Sequence, residues 1–357
     1  MHTVRSLAVL LAVAAALPAC AWFGPEVIRS GRPAYNDAIL ATNDEQLLKN
    51  IVRTRYGDGL GFLTVSSVTA NVTLSAGGAV NLGFGSSAAY QSNLVPFAGT
   101  VSSEQNPTIA FSPVSGDRVL RQMAGETPLD LAILSMRAAH SQKQAFTWLV
   151  RRVNDIRNHD FLEPPGTAVD PRFDEVTALI GVLHDRGCLY WARLQGTAPG
   201  FGFVLHNYRE TAAAEAARLM DVLQIPRPAR EGDDVIVPVV LAAGAPDAGS
   251  VALETRSLRG MMRLAAAAIE LPPDTPGAMR FPVRGPGASG IRIRTASERP
   301  AGARVAVEHR DRWYYIDDAD ETTKQWFEMI TLLFNAQVPE PVSASAPVFT
   351  IPVAGRR

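Results

Sequence analysis

Histidines, cysteines and clustered acids are where this chain would carry chemistry, and they are sparse. The 357 residues include 6 histidines, at 2, 140, 159, 184, 206 and 309, and no two stand at metal-ligand spacing. No GxSxG, HExxH or Walker run occurs. Gly83-Phe84-Gly85-Ser86-Ser87-Ala88 fits a loose GxGxxA, but it lies in a strand pattern with no helix after it, which a dinucleotide site needs. The densest acids, Asp317-Asp318-Ala319-Asp320-Glu321, read in two ways. They resemble the start of a calcium loop without its downstream Gly and bidentate Glu, or they are a helix N-terminus whose carboxylates cap amides. Arg53 with Arg55, Arg151 with Arg152, and Arg292 with Arg294 suit either anionic headgroups and glycans or ordinary ion pairs. Trp313-Tyr314-Tyr315 is aromatic mass for a core or a platform for a sugar. These residues assign no catalytic group, cofactor or metal, so the expectation is a protein that is not an enzyme.

One position does carry covalent chemistry. His2 and Arg5 precede the apolar run Leu7–Leu17, which has the size of a signal-peptide core and is too short for a stable membrane span. The run ends in Leu17-Pro18-Ala19-Cys20, a bulky residue, then small ones, then Cys, which resembles the lipobox of bacterial lipoproteins. The resemblance implies cleavage before Cys20 and acylation of its sulfur and new amino group, with palmitate-type chains giving near-permanent attachment. Ala21 follows, where an Asp would argue for retention at the inner membrane, so the periplasmic face of the outer membrane is expected. With Cys20 acylated, Cys188 is the sole remaining thiol and no disulfide can form within the chain. The apolar setting Cys188-Leu189-Tyr190-Trp191 makes it a buried small hydrophobe. The net charge of −1 gives no reason to expect nucleic acid as a partner.

The stretch Gly59–Ser103 has no Asp, Glu, Lys or Arg, although 19% of the chain is charged. Val68, Ala70, Val72, Leu74 and Ala76 alternate with Thr69, Asn71, Thr73 and Ser75, and the alternation resumes in Val80, Leu82 and Phe84. This predicts a long hairpin over about Leu60–Tyr90 turning at Gly77-Gly78. A solvated strand face normally carries Lys and Glu, which also block edge pairing. Three coverings suit a face without them: the rest of the monomer, other copies of the chain, or lipid on one side of a shared barrel. Val68, Val72, Leu74, Val80, Leu82 and Phe84 are the candidate interaction surface.

The remaining elements follow from caps and periodicity. Tyr35–Ala41 reads as a short helix, and Thr42 with Glu45 as a capping box opening a second one to Tyr56, stopped by Gly57. Thr127-Pro128 opens a helical segment to about Asn158, one helix or two joined near His140-Ser141. Asp170-Pro171 repeats that signature for a helix closed at Gly187. Strands are expected at Cys188–Leu194, Phe201–His206, Val235–Leu241, Gly290–Arg294, Arg304–Glu308 and Trp313–Ile316, and helices at Thr211–Gln224, Ser257–Ile269 and Asp320–Ala336. Val348–Val353 either adds as an edge strand or stays loose.

Tyr35-Asn36-Asp37-Ala38-Ile39 and Glu45-Gln46-Leu47-Leu48-Lys49-Asn50-Ile51-Val52-Arg53-Thr54-Arg55-Tyr56 together resemble a family of uncharacterised proteobacterial outer-membrane lipoproteins. Asn106-Pro107-Thr108-Ile109, Ser112-Pro113 and Trp313-Tyr314-Tyr315-Ile316-Asp317-Asp318 extend the resemblance from Tyr35 to about Gln337. It implies the envelope address and brings no activity, cofactor or catalytic residue. The irregular mixture of helix and strand predicts an α+β fold. The expected organisation is a signal peptide over 1–19, a lipidated tether over 20–34, a helix–hairpin–helical region over 35–160, an α+β region over 161–337 and a Pro-rich tail over 338–357. The expected function is protein–protein contact in the periplasm, or alternatively a subunit of an oligomeric outer-membrane channel that inserts the hairpin over 60–90. The expected partners are the membrane, through the lipid, and protein, either another chain or a second copy.

Overall fold

The computed structural model describes residues 33–80, 97–114, 117–158, 170–195, 200–228, 234–242, 249–273, 275–281, 289–338 and 349–352. Cys20, Leu82 and Phe84 lie outside the described residues. In chain order the elements begin with helix α1 (residues 33–56), strands β1 (Phe62–Val80) and β2 (Phe97–Val114), and helices α2 (Asp117–Ala124), α3 (Leu129–Ala138) and α4 (Gln142–Leu149). Strands β3 (Val150–Val153) and β4 (Ile156–Arg157), helix α5 (Pro171–Asp185), strands β5 (Leu189–Leu194) and β6 (Gly200–Leu205), and helices α6 (Tyr208–Thr211) and α7 (Ala213–Leu223) come next. Then follow β7 (Val235–Leu241), β8 (Val251–Thr255), α8 (Leu258–Ala267), β9 (Arg294–Ala296), β10 (Ala303–His309), β11 (Arg312–Asp317), α9 (Glu321–Gln337) and β12 (Phe349–Pro352). The fold is α+β, as expected. The chain divides into two compact units, Met1–Leu60 with Asp117–Val338, and Gly61–Gly116 with Pro339–Arg357.

The first unit has a six-stranded sheet of order β4-β3-β8-β7-β6-β5, with β7–β8 parallel and the other pairs antiparallel. It takes strands from both sides of residue 160, so the expected boundary there does not divide it. Glu254 on β8 meets Arg151 at 2.8 Å and Arg152 at 3.3 Å, tying the two stretches across β3–β8. Inside, Phe146 stacks on Trp191 at 6.2 Å and lies 6.0 Å from Phe173, joining α4, α5 and β5. The buried indole of Trp191 donates to Gln142 Oε1 at 2.9 Å, so its N–H is not stranded in the core.

Local chemistry explains where the elements depart from expectation. Thr42 is not a cap, because α1 already runs through it and its hydroxyl donates back to the carbonyls of Ala38 and Ile39. Leu47, Leu48, Ile51, Val52 and Tyr56 are buried as one stripe, and Gly57 at φ +70° ends the helix. Thr127 is not a cap either, since its hydroxyl donates to the Arg256 carbonyl at 2.7 Å and its own carbonyl accepts from Thr255 at 2.7 Å. The helix expected to reach Asn158 ends at Leu149. There Val150, Val153 and Ile156 enter the sheet, and Asn158 Nδ2 donates to the carbonyls of Thr147 and Val150. Asp170-Pro171 caps α5 as expected, and Cys188 is buried and free. A small sheet of order β10-β11-β9 precedes α9 and buries Tyr314 completely.

The second unit is a sheet of order β1-β2-β12. β1 and β2 pair antiparallel from Phe62↔Val114 to Val80↔Phe97. The expected turn at Gly77-Gly78 is absent, because these glycines pair with Thr100 and Gly99 and the strand runs on. The alternation keeps its phase through Ala76, Gly78 and Val80, so nothing in the pattern requires the chain to reverse there. The register shifts once, between Val65 and Ser67. That bulge puts Val65 and Val68 on one face, although a regular strand would place residues three apart on opposite faces. β12 adds to β2 from Phe349↔Phe111 to Pro352↔Thr108, the edge-strand outcome for the tail.

Candidate functional site

Of the expected surface residues, Val68, Val72, Leu74 and Val80 share one face of β1. Their partners on β2 are Ile109, Gln105, Ser103 and Phe97. The opposite face pairs Thr69 with Thr108, Asn71 with Asn106, Thr73 with Glu104 and Ser75 with Ser102. Across both strands Glu104 is the one ionisable group, so the ribbon separates apolar from neutral polar residues almost without charge. Where burial is described, Phe62, Ala110 and Ser112 are buried, whereas on the apolar parity Leu63 is 46% exposed and Val65, Ile109 and Phe111 are half-buried. Leu82, Phe84 and the acylation site Cys20 lie outside the described residues.

One cluster of titratable side chains in the first unit lies where α1 meets β10 and β11. The hydroxyls of Tyr56 and Tyr314 are 2.5 Å apart. Asp58 accepts from Arg310 at 2.9 Å, lies 2.9 Å from His309 Nε2, and the Arg310 guanidinium sits 4.4 Å over the Tyr56 ring. Lys49 Nζ donates to the Glu308 carbonyl. Burial, and then the hydrogen bond from Tyr56, push the Tyr314 hydroxyl well above the usual tyrosine range. Burial, with the Lys49 charge adding to it, holds His309 below its ordinary value despite Asp58. This cluster fastens the end of α1 to the small sheet.

Two clefts flank α1. One, of about 370 Å³, lies between Asp44 and Glu45 on the helix and Arg299 and Arg304 opposite. The other, of about 420 Å³, is lined by Gln46, Lys49, Glu308 and Trp313 among others. Their charges answer one another: Arg304 meets Asp44 at 2.9 Å, Arg299 lies 3.9 Å from Glu45, and Arg299 also covers the Trp313 ring at 5.4 Å. An anionic ligand would have to break these pairs.

The acidic run is a helix cap. Asp320 accepts from the Thr323 amide at 3.1 Å and its hydroxyl at 2.8 Å, Asp317 holds Arg294 at 2.5 Å, and Asp318 meets Lys324 at 3.1 Å. Among the arginine pairs, Arg151 and Arg152 share Glu254 and Arg55 lies 5.2 Å over Phe281 with its pKa lowered by burial, while Arg292 is exposed.

Sequence reasoning missed a second uncharged surface. On one face of β5, β6 and β7, Tyr190, Val204 and Ile236 lie side by side, followed by Ala192, Gly202 and Pro238; Val204 and Gly202 are buried between their neighbours, so the open positions are those of β5 and β7. Tyr190 is 46% exposed, Ile236 59% and Val240 42%. The signal was the run Val235-Ile236-Val237-Pro238-Val239-Val240-Leu241, apolar in both parities, which marks a strand covered on both faces. Val235, Val237 and Val239 are buried, while the other parity is left open.

Compared with known proteins, the chain matches no family model, no curated protein and no solved structure.

Proposed function

We propose that this chain is a cell-envelope lipoprotein, anchored through acylated Cys20 at the periplasmic face of the outer membrane, that acts by protein–protein contact without catalysis. The address rests on Leu17-Pro18-Ala19-Cys20 at the end of its apolar run and on the resemblance of the Tyr35–Tyr56 and Trp313–Asp318 motifs. The mode of action rests on the β1–β2 ribbon, a long pair of strands whose edge β1 carries no charge. An uncharged strand edge is a template for pairing with another chain. Fractionation tests the anchor: Cys20→Ala is expected to move the protein from the membrane to the soluble fraction. Unchanged membrane association would overturn the anchor.

A further inference from the structure

We infer that the partner of the ribbon is the ribbon of another copy of the same chain. Edge β1 of one copy pairs with the 97–107 stretch of β2 in the next, and repetition closes a shared sheet. The inference deepens the contact-protein reading above by naming its partner.

The sheet edges of this chain carry the first argument. Edge strands β4, β5, β9 and β10 hold Arg157, Arg193, Arg294 and Arg304, and β10 is further closed by Lys49 on the Glu308 carbonyl. Charges like these deter edge-to-edge pairing. β1 is also an edge, it is 19 residues long, and it carries none. Among the described residues β12 pairs with β2 from Phe111 to Thr108, with Pro352 opposite Thr108. Proline offers no N–H to a ladder, and the edge of β2 from residue 97 to 107 has no neighbour but β1 among the described strands.

The two open edges suit each other. Within one copy β1 and β2 run antiparallel, so ribbons set side by side place β2 of one antiparallel to β1 of the next. Glu104 is the sole ionisable residue on either strand, so stacking identical ribbons brings few like charges together. Every ribbon added this way turns Val68, Val72, Leu74 and Val80 to the same side of the growing sheet.

Disulfide trapping on the full-length chain tests this. One tagged copy carries Ser102→Cys, and a differently tagged copy carries Thr69→Cys, Thr73→Cys or Gly77→Cys in turn, positions of one parity that sample three registers. Cys188 is buried, and the parent chain is the background control. The expected result is a mixed covalent dimer at one register at least tenfold above background, with Thr73→Cys alone giving no dimer. The double variant Asn71→Lys/Ser75→Lys, which leaves the trap positions untouched, should lower trapping tenfold or more while the thermal transition of the Met1–Leu60/Asp117–Val338 unit stays in place. Absence of a mixed dimer at all three registers overturns the inference, whether the ribbon then lies on vesicles as a monomer or stays in solution. Dimers formed equally by Thr73→Cys alone also overturn it. Trapping in the Cys20→Ala background separates the claims: a soluble chain that still traps supports edge pairing on its own, and unchanged fractionation counts against the anchor alone.

Discussion

Asn154 is held at φ +52° between β3 and β4, and its side chain serves the backbone of helix α7 and of strand β8. Nδ2 donates to the Leu223 carbonyl at 3.0 Å and Oδ1 accepts from the Ala252 amide at 2.9 Å. Asn154→Ala strands both groups and places a Cβ-bearing residue without a compensating side chain in the left-handed region, so it should cost about 2–4 kcal/mol in urea unfolding. Asn154→Gly relieves the backbone alone and should recover roughly 1 kcal/mol of that loss. His309 gives a pH dependence with a definite sign. Its folded pKa lies below 6.5, so the unfolded chain binds more protons in mild acid. The stability it contributes is complete above about pH 6.5 and declines as the pH falls toward the folded value. Melting temperatures between pH 7.5 and 5 should fall for the parent and fall less steeply for His309→Gln. Neither residue was legible as special in the sequence, because each depends on partners distant in the chain: Leu223 and Ala252 for Asn154, Lys49 and Asp58 for His309.

Elements with a complete local signal were readable. Asp170-Pro171 and Asp320 cap their helices, and Val235–Leu241 is a strand with the expected bounds. Thr42 and Thr127 misled because a hydroxyl spends its hydrogen bond wherever an acceptor lies closer, on Ala38 and Ile39 for one and on Arg256 for the other. Gly77-Gly78 misled because glycine permits a turn without demanding one. The six-stranded sheet shows a constraint of a similar kind at Gly202, opposite Pro238 on β7. A Cβ there would lie 2.4 Å from the Val237 carbonyl oxygen, so Gly202→Ala must push β6 away from β7 and should cost roughly 1–3 kcal/mol. Ile236→Lys, on the exposed parity of β7, should by contrast change stability by less than about 0.5 kcal/mol in the isolated chain, since it removes no buried contact. Denaturant midpoints of the two variants, measured side by side, check both expectations.

For the whole molecule, the α+β class and the uncharged character of the ribbon could be read from composition and alternation. The division into units could not, since β3 and β4 join β5–β8 through long-range pairing, and β12 returns to β2 from the far end of the chain. An uncharged ribbon that finds its cover in copies of itself makes the whole molecule an oligomer. Light scattering on the full-length protein, extracted and chromatographed in mild detergent, tests it most directly. The predicted result is a protein mass several times that of one chain, falling to one chain with Asn71→Lys/Ser75→Lys. A parent chain that elutes with the mass of a single copy across the micromolar range would contradict it.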